Sequence, residues 1–174
     1  MKTESKKRKI YITTDWHLGH DMLWQKEYRP KGFEEKIISN LGRVLTRDDV
    51  LIHLGDVFFK DNQKWESVLW TLEGRKILIR GNHDNHSYSW LLNKGFDFIC
   101  DEFQLDIFGK KLLFSHRPID LIARNVDFNI HGHSHGNAHR DEEYCNFYSD
   151  KHIEFTLEKN QFQPILLQDL IQKK

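Results

Sequence analysis

Residues 76–84 read Lys-Ile-Leu-Ile-Arg-Gly-Asn-His-Asp, an apolar run that ends in a glycine and three polar side chains. The aliphatic residues of this run are typical of a buried strand. The same pattern occurs at two earlier places: 9–14 before Asp15-Trp16-His17, and 50–54 before Gly55-Asp56. Because loops at the carboxyl ends of strands converge in α/β sheets, we expect these polar side chains to meet in one crevice.

The rest of the chain alternates between helical and strand-like spacing of apolar residues. Helical spacing predicts helices over 33–45, 65–72 and 87–93, with Gly74 ending the second. Apolar runs predict strands over 96–100, 103–108, 111–115, 128–130 and 152–157, with a hairpin turn at Gly109-Lys110. Pro164 is expected to begin a closing helix over 165–171. This alternation favours a single α/β sandwich domain over 9–174, with sheets in the middle and helices outside.

The composition limits the classes of function. The 174 residues are enough for about one domain, and 26 Lys and Arg balance 26 Asp and Glu, so no global positive field attracts nucleic acid. No apolar stretch is long enough to cross a bilayer, and the basic segment 1–8, expected to be flexible, does not lead into a signal-peptide core. Cys100 and Cys145 lie far apart and outside any CxxC pair, which fits a reducing, cytoplasmic setting.

Histidine is unusually frequent, with 11 residues, and several follow expected strands. His116 follows the run 111–115, and His131 and His133 flank Gly132 after the run 128–130. Asp, Asn and His side chains packed into one crevice carry a large desolvation and repulsion cost unless divalent cations compensate it. Carboxylate and imidazole ligands without a thiolate suit Mn²⁺, Fe²⁺, Ni²⁺ or Zn²⁺ better than Ca²⁺.

Taken in order, these motifs resemble those of the calcineurin-like metallophosphoesterase superfamily, especially its small, uncapped bacterial and phage-type members. Five motifs carry the similarity, each after an expected strand: Asp15-x-His17, Gly55-Asp56, Gly81-Asn82-His83-Asp84, His116 and His131-Gly132-His133. The resemblance implies a four-layer α/β/β/α sandwich with a dinuclear metal site at the carboxyl ends of strands. It also implies hydrolysis of a phosphate ester, either a phosphodiester or a small phosphomonoester, by a metal-activated hydroxide.

The resemblance further implies a role for each matching residue. The metal ligands would be Asp15, His17 and His133 for the first ion, Asp56 as the bridge, and Asn82, His116 and His131 for the second. His83 would be catalytic, reaching the phosphoryl oxygens or the leaving group. Asp84 would orient the loop or His83, with a plain cap for the helix from Ser87 as the alternative. The two ions are expected to be Mn²⁺, with Ni²⁺, Fe²⁺ or Zn²⁺ as alternatives.

Some residues near the motifs allow two interpretations. His20 is expected either to contact the phosphate or substrate or to lie at the surface. Trp16 is expected either to pack under the metal loop or to stack on a base or an aromatic ester. His53 is interpreted as a hydrogen-bonded core histidine and His135 as a loop residue. The segment 134–151 is expected to be a surface loop that shapes substrate choice.

The expected partner is a small phosphate ester, including a nucleotide-like one. No membrane is expected as a partner. Two other functions stay open. One is a non-catalytic metal-binding scaffold of the same fold, which is disfavoured because every motif residue, including His83, is present. The other is a nucleic-acid phosphodiesterase, which is disfavoured because the chain is short and has a net charge of zero.

Overall fold

The computed structural model describes residues 8–59, 63–136 and 144–173, and its strands form two sheets. Residues 1–7 and 137–143 lie outside the described residues. They hold most of the expected flexible N-terminus and part of the expected loop over 134–151, so both expectations stay predictions.

The first sheet has five strands in the order β4-β3-β2-β1-β9. Its members are β1 (Ile10–Thr13), β2 (Val50–His53), β3 (Arg75–Ile79), β4 (Phe98–Cys100) and β9 (Ile165–Leu166). The first four run parallel and β9 is antiparallel to β1. The parallel strands end at the same edge, so the loops after β1, β2 and β3 lie side by side.

The second sheet has four strands in the order β5-β6-β7-β8. Its members are β5 (Glu102–Ile107), β6 (Lys110–Ser115), β7 (Phe128–His131) and β8 (His152–Glu154). β5 and β6 form an antiparallel hairpin, whereas β6, β7 and β8 are parallel. The hairpin turn is Phe108-Gly109, both with positive φ, one residue earlier than expected, because this two-residue turn matches the twist of the strands.

Within the described ranges, six short or medium helices accompany the sheets. They are α1 (Met22–Gln25), α2 (Phe33–Val44), α3 (Gln63–Glu66), α4 (Val68–Thr71), α5 (Tyr88–Asn93) and α6 (Leu167–Gln172), with a 3₁₀ helix at Glu158–Asn160. In α2, Phe33, Ile37 and Leu41 recur at a spacing of four and are fully buried, so this helix presents one apolar face to the core.

Two details differ from the sequence predictions. The single helix expected over 65–72 is divided into α3 and α4, in a stretch with Val68, Trp70 and Thr71, whose helix propensity is low. Pro164 does not begin the closing helix, because Ile165 and Leu166 first pair with β1 as an edge strand and α6 begins at Leu167.

One hydrophobic core joins the two sheets. It contains Ile12, Leu51 and Leu78 from the first sheet and Leu112, Phe114 and Ile130 from the second. This α/β architecture with two largely parallel sheets confirms the expected fold class. Within the part of the chain that the structure describes, none of the helices has the length and apolar character needed to cross a membrane.

Candidate metal centre

Asp15 lies two residues after the end of β1, and only one oxygen of its buried carboxylate has hydrogen-bond partners. Oδ2 accepts hydrogen bonds from Thr14 Oγ1 at 2.6 Å and from the backbone N–H of His133 at 3.0 Å. Oδ1 is buried and has no hydrogen-bond partner. A buried carboxylate oxygen without a partner is costly, so this atom fits a cation ligand.

Asp15 belongs to a compact group with His17 and His135. The Nε2 atom of His17 lies 3.7 Å from Asp15 Oδ1, and that of His135 lies 3.5 Å from the same oxygen. The two Nε2 atoms are 3.2 Å apart. Three candidate ligand atoms thus face one point, which is the arrangement that a divalent ion requires.

Asp56 lies between this group and a second one. Its Oδ2 is 3.7 Å from His17 Nε2, 3.4 Å from His116 Nε2 and 4.0 Å from His83 Nε2. Its Oδ1 accepts a hydrogen bond from the backbone N–H of His83 at 2.8 Å. The carboxylate therefore lies where it can face two ions at once.

The second group contains Asp56, His116 and His133, with Asn82 beside it. His116 Nε2 is 3.0 Å from Asn82 Oδ1 and 3.1 Å from His133 Nδ1. His116 Nδ1 is 2.7 Å from the backbone carbonyl of Leu54 and donates to it. In the neutral imidazole this bond leaves Nε2 as the unprotonated nitrogen, which faces the group.

The electrostatics of the cluster favour bound positive charge. Burial disfavours the charged form of His116, but its hydrogen bond to Asp56 and the charges of Asp15 and Asp56 outweigh burial and raise its pKa to about 9. Burial also disfavours the charged form of Asp56, yet His116 and His17 lower the pKa of this carboxyl. Burial lowers the pKa of His17 well below its usual value. A divalent cation bound at the cluster would take the place of the proton that His116 binds.

The backbone of the cluster is unusual. Five cluster residues have positive φ: Asp15 (49°), His17 (49°), Asp56 (61°), His133 (76°) and His135 (54°). Non-glycine residues rarely occupy this region, and when they do so together the site is commonly functional. The loop backbone therefore takes an unfavourable conformation at several residues whose side chains converge on the cluster.

Two glycines allow the loops to approach the carboxylates closely. A Cβ on Gly81 would collide with Asp56 Oδ1 and lie 2.5 Å from the Asp56 nitrogen. A Cβ on Gly132 would collide with Thr14 Oγ1 and lie 2.6 Å from Asp15 Oδ2. Neither position accommodates a side chain without moving a site carboxylate.

The structure brings together Asp15, His17, Asp56, Asn82, His116 and His133, but it places His131 elsewhere. His131 lies on β7, and its Nε2 is 3.0 Å from the hydroxyl of Tyr148. His133 groups with Asp56 and His116 rather than with Asp15 and His17. His135, interpreted from the sequence as a loop residue, occupies the place expected for His133. In this geometry His133 and His135 lie in the two candidate groups, and the ligand role expected for His131 stays a prediction.

Asp84 is a support for the loops. Its Oδ2 accepts hydrogen bonds from the backbone N–H groups of Asp56 and Gly81, both at 2.8 Å, and its Oδ1 accepts from Val57 at 3.0 Å. Burial raises its pKa to about 6, while the three N–H donors favour the ionised form. It does not cap α5, because Ser87 Oγ accepts from the Trp90 N–H at that end. Asp84 therefore ties the loop after β3 to the loop after β2.

Sequence reasoning missed two residues behind His135. Glu158 Oε1 lies 3.0 Å from His135 Nδ1, and the buried Arg29 donates to the same oxygen from Nε at 2.9 Å and from a terminal nitrogen at 2.6 Å. Burial opposes charge on Glu158, but His135 and Arg29 outweigh it and lower its pKa to about 2. No local motif in the sequence marks either residue.

The ambiguous aromatic residues are also placed. Trp16 is fully buried and donates from Nε1 to Thr13 Oγ1 at 2.7 Å, so it packs under the metal loop. His53 is buried, accepts a hydrogen bond from the Gly55 N–H at 3.0 Å, and has a pKa lowered by burial to about 3, as a core histidine should. His20 stacks on Phe59 with ring centroids 3.5 Å apart and lines a cleft beside His17 and His83.

A cluster of Asp, Asn and His side chains at the carboxyl ends of strands from two sheets defines this molecule as an α/β protein with a candidate dinuclear metal centre. The chain belongs to the calcineurin-like phosphoesterase family, whose family model matches residues 8–169. Metal-dependent hydrolysis of a phosphoester is the general activity that this membership and the His and Asp groups support.

Three comparisons show which proteins the chain resembles. It is 31% identical over 173 residues to an uncharacterized protein of Methanocaldococcus jannaschii, covering 95% of this chain and 90% of the relative. It resembles the crystal structure of a protein of unknown function from Aquifex aeolicus, with a TM-score of 0.78, 32% identity, and coverage of 97% and 100%. The Pseudomonas putida nuclease MPE shares the fold, with a TM-score of 0.51, 23% identity, and coverage of 74% and 62%.

Proposed function

We propose that this protein hydrolyses a phosphate ester, a phosphodiester or a small phosphomonoester, at a centre of two divalent cations. The position of Asp56 carries the proposal. Its carboxylate lies within 4.0 Å of ring nitrogens of His17, His83 and His116, and so joins the separate ligand groups into one site. A carboxylate that faces two ligand groups can contact two cations at once, which supports a two-metal centre.

The donor set supports a group of ligands for each ion. The first would be held by Asp15, His17, His135 and Asp56, and the second by Asp56, Asn82, His116 and His133. The partnerless buried Asp15 Oδ1 supports the first assignment. When bound, two such cations supply a hydroxide nucleophile near neutral pH and offset the charge that develops on the phosphoryl group. Imidazole, carboxylate and amide donors favour Mn²⁺, Ni²⁺, Fe²⁺ or Zn²⁺ over Mg²⁺.

His83 is the residue that we propose as the proton donor to the leaving group. Its ring is 39% exposed, whereas those of His17 and His116 are almost fully buried. Its backbone N–H is fixed by Asp56 Oδ1, which sets the loop without constraining the ring. An exposed imidazole beside the ligand cluster lies where a departing alkoxide would need a proton.

The organic part of the substrate has a cleft available beside the first ligand group. This cleft has a volume of about 490 Å³, and its walls include His20, Leu23 and Tyr28 next to His17 and His83. Arg29 also lines the cleft, but its guanidinium already donates to Glu158 and to the Trp16 carbonyl. The cleft therefore suits an uncharged, flat group such as a nucleoside or aryl ester better than a second phosphate.

One observation favours a second candidate, a nucleic-acid phosphodiesterase. Arg80 and Arg117 line a shallow groove together with Asn82 and His116. This groove differs from the cleft, which is lined by His17 and His83. Arginines beside a phosphoester site can hold the next phosphate of a strand. Cleavage of single-stranded oligonucleotides at low salt, lost at high salt, would favour this candidate.

A substrate and metal panel tests the proposal. Metal-free protein should gain activity on bis(4-nitrophenyl) phosphate, 4-nitrophenyl phosphate, cyclic nucleotides, nucleotides or phosphoamino acids when Mn²⁺ or Ni²⁺ is added, and less with Mg²⁺. Asp56→Asn protein purified in parallel is the control for contaminating phosphatases. Full activity after exhaustive chelation, or equal activity of the control, would contradict a metal-dependent hydrolase.

A further inference from the structure

Behind the first ligand group lies a series of hydrogen bonds to which the proposed hydrolysis gives no role. Glu158 lies on the 3₁₀ helix Glu158–Asn160, and its Oε1 accepts a hydrogen bond from His135 Nδ1 at 3.0 Å. Arg29, from the segment between α1 and α2, donates twice to the same Glu158 oxygen. The Arg29 side chain is only 1% exposed and that of Glu158 is 25% exposed, so solvent screens this pair less than it screens a surface ion pair.

Arg29 also fixes the other side of the group. Its remaining terminal nitrogen donates to the backbone carbonyl of Trp16 at 3.1 Å, and Trp16 stands between Asp15 and His17. The guanidinium carbon lies 5.0 Å from the ring centre of Phe33 and 5.8 Å from that of Phe162. The arginine is thus positioned by packing and connects the loop after β1 to Glu158.

The contact with Glu158 decides which nitrogen of His135 faces the cluster. A carboxylate can only accept, so Nδ1 of His135 must donate to it and Nε2 must carry the lone pair. That Nε2 lies 3.5 Å from Asp15 Oδ1 and 3.2 Å from His17 Nε2. If Nδ1 instead accepted from Arg29, which is 3.2 Å away, Nε2 would carry the hydrogen and could not face a cation.

We propose that Glu158, held by Arg29, is a positioning residue that sets the tautomer and ring orientation of His135 and thereby the affinity of the first metal position. The proposal rests on the proposed two-metal function. Carboxylate partners of ligating histidines typically contribute 10- to 100-fold to metal affinity. We therefore expect Glu158→Gln to weaken Mn²⁺ binding at one of two positions by about this factor and to leave the other unchanged.

The test is calorimetric titration of the metal-free full chain with Mn²⁺. Glu73→Gln is the matched control, because Glu73 is exposed and lies just before β3, at the end of that strand opposite to the cluster. It should bind Mn²⁺ like the wild type. Glu158→Asp, which keeps the charge, should recover part of the affinity, and it provides a second variant if Glu158→Gln does not fold.

A double-mutant cycle separates positioning from general support of the fold. In a His135→Ala background, Glu158→Gln should cause little further loss of Mn²⁺ affinity, because its effect passes through His135. An equal loss in both backgrounds, or wild-type affinity at both positions in Glu158→Gln, would overturn the inference. Failure of the wild-type protein to bind any Mn²⁺ would instead contradict the proposed function, so the two failures are distinguishable.

Discussion

The Nε2 atoms of His17 and His135 lie 3.2 Å apart, although 118 residues separate the two histidines in the sequence. Their rings stack with centroids 5.1 Å apart, and Asp15 Oδ1 lies within 3.7 Å of both nitrogens. Two unprotonated imidazole nitrogens repel at this distance unless a proton or a cation lies between them. This pair therefore gives the clearest structural reason to include His135 among the metal ligands.

The first prediction separates His135 from His131. His135→Ala should lower the bound metal from two ions to about one, because it removes a donor from the group of Asp15 and His17. His131→Gln should keep both ions, because His131 faces the Tyr148 hydroxyl and glutamine can still bond to it. Elemental analysis of both variants after equilibration with Mn²⁺ decides the matter. Loss of metal from His131→Gln with full occupancy in His135→Ala would restore the assignment drawn from the sequence.

The second prediction concerns Asp56. Asp56→Asn should lower the occupancy of both ions together with the rate, because this carboxylate faces both ligand groups. Asp106→Asn on the exposed face of β5 is a suitable control for the loss of a negative charge. Metal content and turnover are measured on the same preparations. Two tightly bound ions and near-normal turnover in Asp56→Asn would show that Asp56 does not bridge.

The third prediction tests His83 as a proton donor. His83→Ala should keep both metals and the thermal stability of the wild type, because its ring is partly exposed. Turnover should fall by about 10²- to 10⁴-fold, the range for losing one positioned acid. The loss should be larger for alkyl phosphate esters than for nitrophenyl esters, whose leaving group needs no proton. An equal loss on both would make His83 only a charge stabiliser, and loss of an ion would make it a ligand.

The fourth prediction concerns stability. Asp84→Ala should lower the free energy of unfolding by about 3 kcal/mol, because it leaves three backbone N–H groups of the loops without an acceptor. Asp101→Ala is the comparison, since Asp101 is exposed. Urea unfolding of the metal-free proteins measures both, so that metal loss does not contribute. A change below about 0.5 kcal/mol would show that the loops do not depend on Asp84.

The sequence was informative where a candidate metal ligand follows shortly after the end of a strand. Asp15, Asp56 and Asn82 each follow a buried parallel strand, so their convergence could be predicted from the strand ends alone. The order of the motifs then indicated the family, which the family model confirms.

The histidine run after β7 could not be resolved from spacing. His131, His133 and His135 alternate along the chain, so any two neighbouring members fit a pattern with a spacing of two. The choice depends on where the strand ends. β7 continues through His131, and His133 and His135 lie in the loop with positive φ. Likewise, Arg29 and Glu158 are 129 residues apart, and only the fold brings them together.

The first ligand group also has a consequence for the chain as a polymer. Its members come from the loop after β1 in one sheet and from the loop after β7 in the other. A cation held by both would link positions 118 residues apart, but unlike a covalent cross-link it is released when the chain unfolds. An ion that binds only the native state stabilises it by mass action, by about 2.7 kcal/mol when the free ion is at 100 times its Kd. The ion that serves chemistry in the native state would therefore also make the stability of the fold depend on the concentration of free metal.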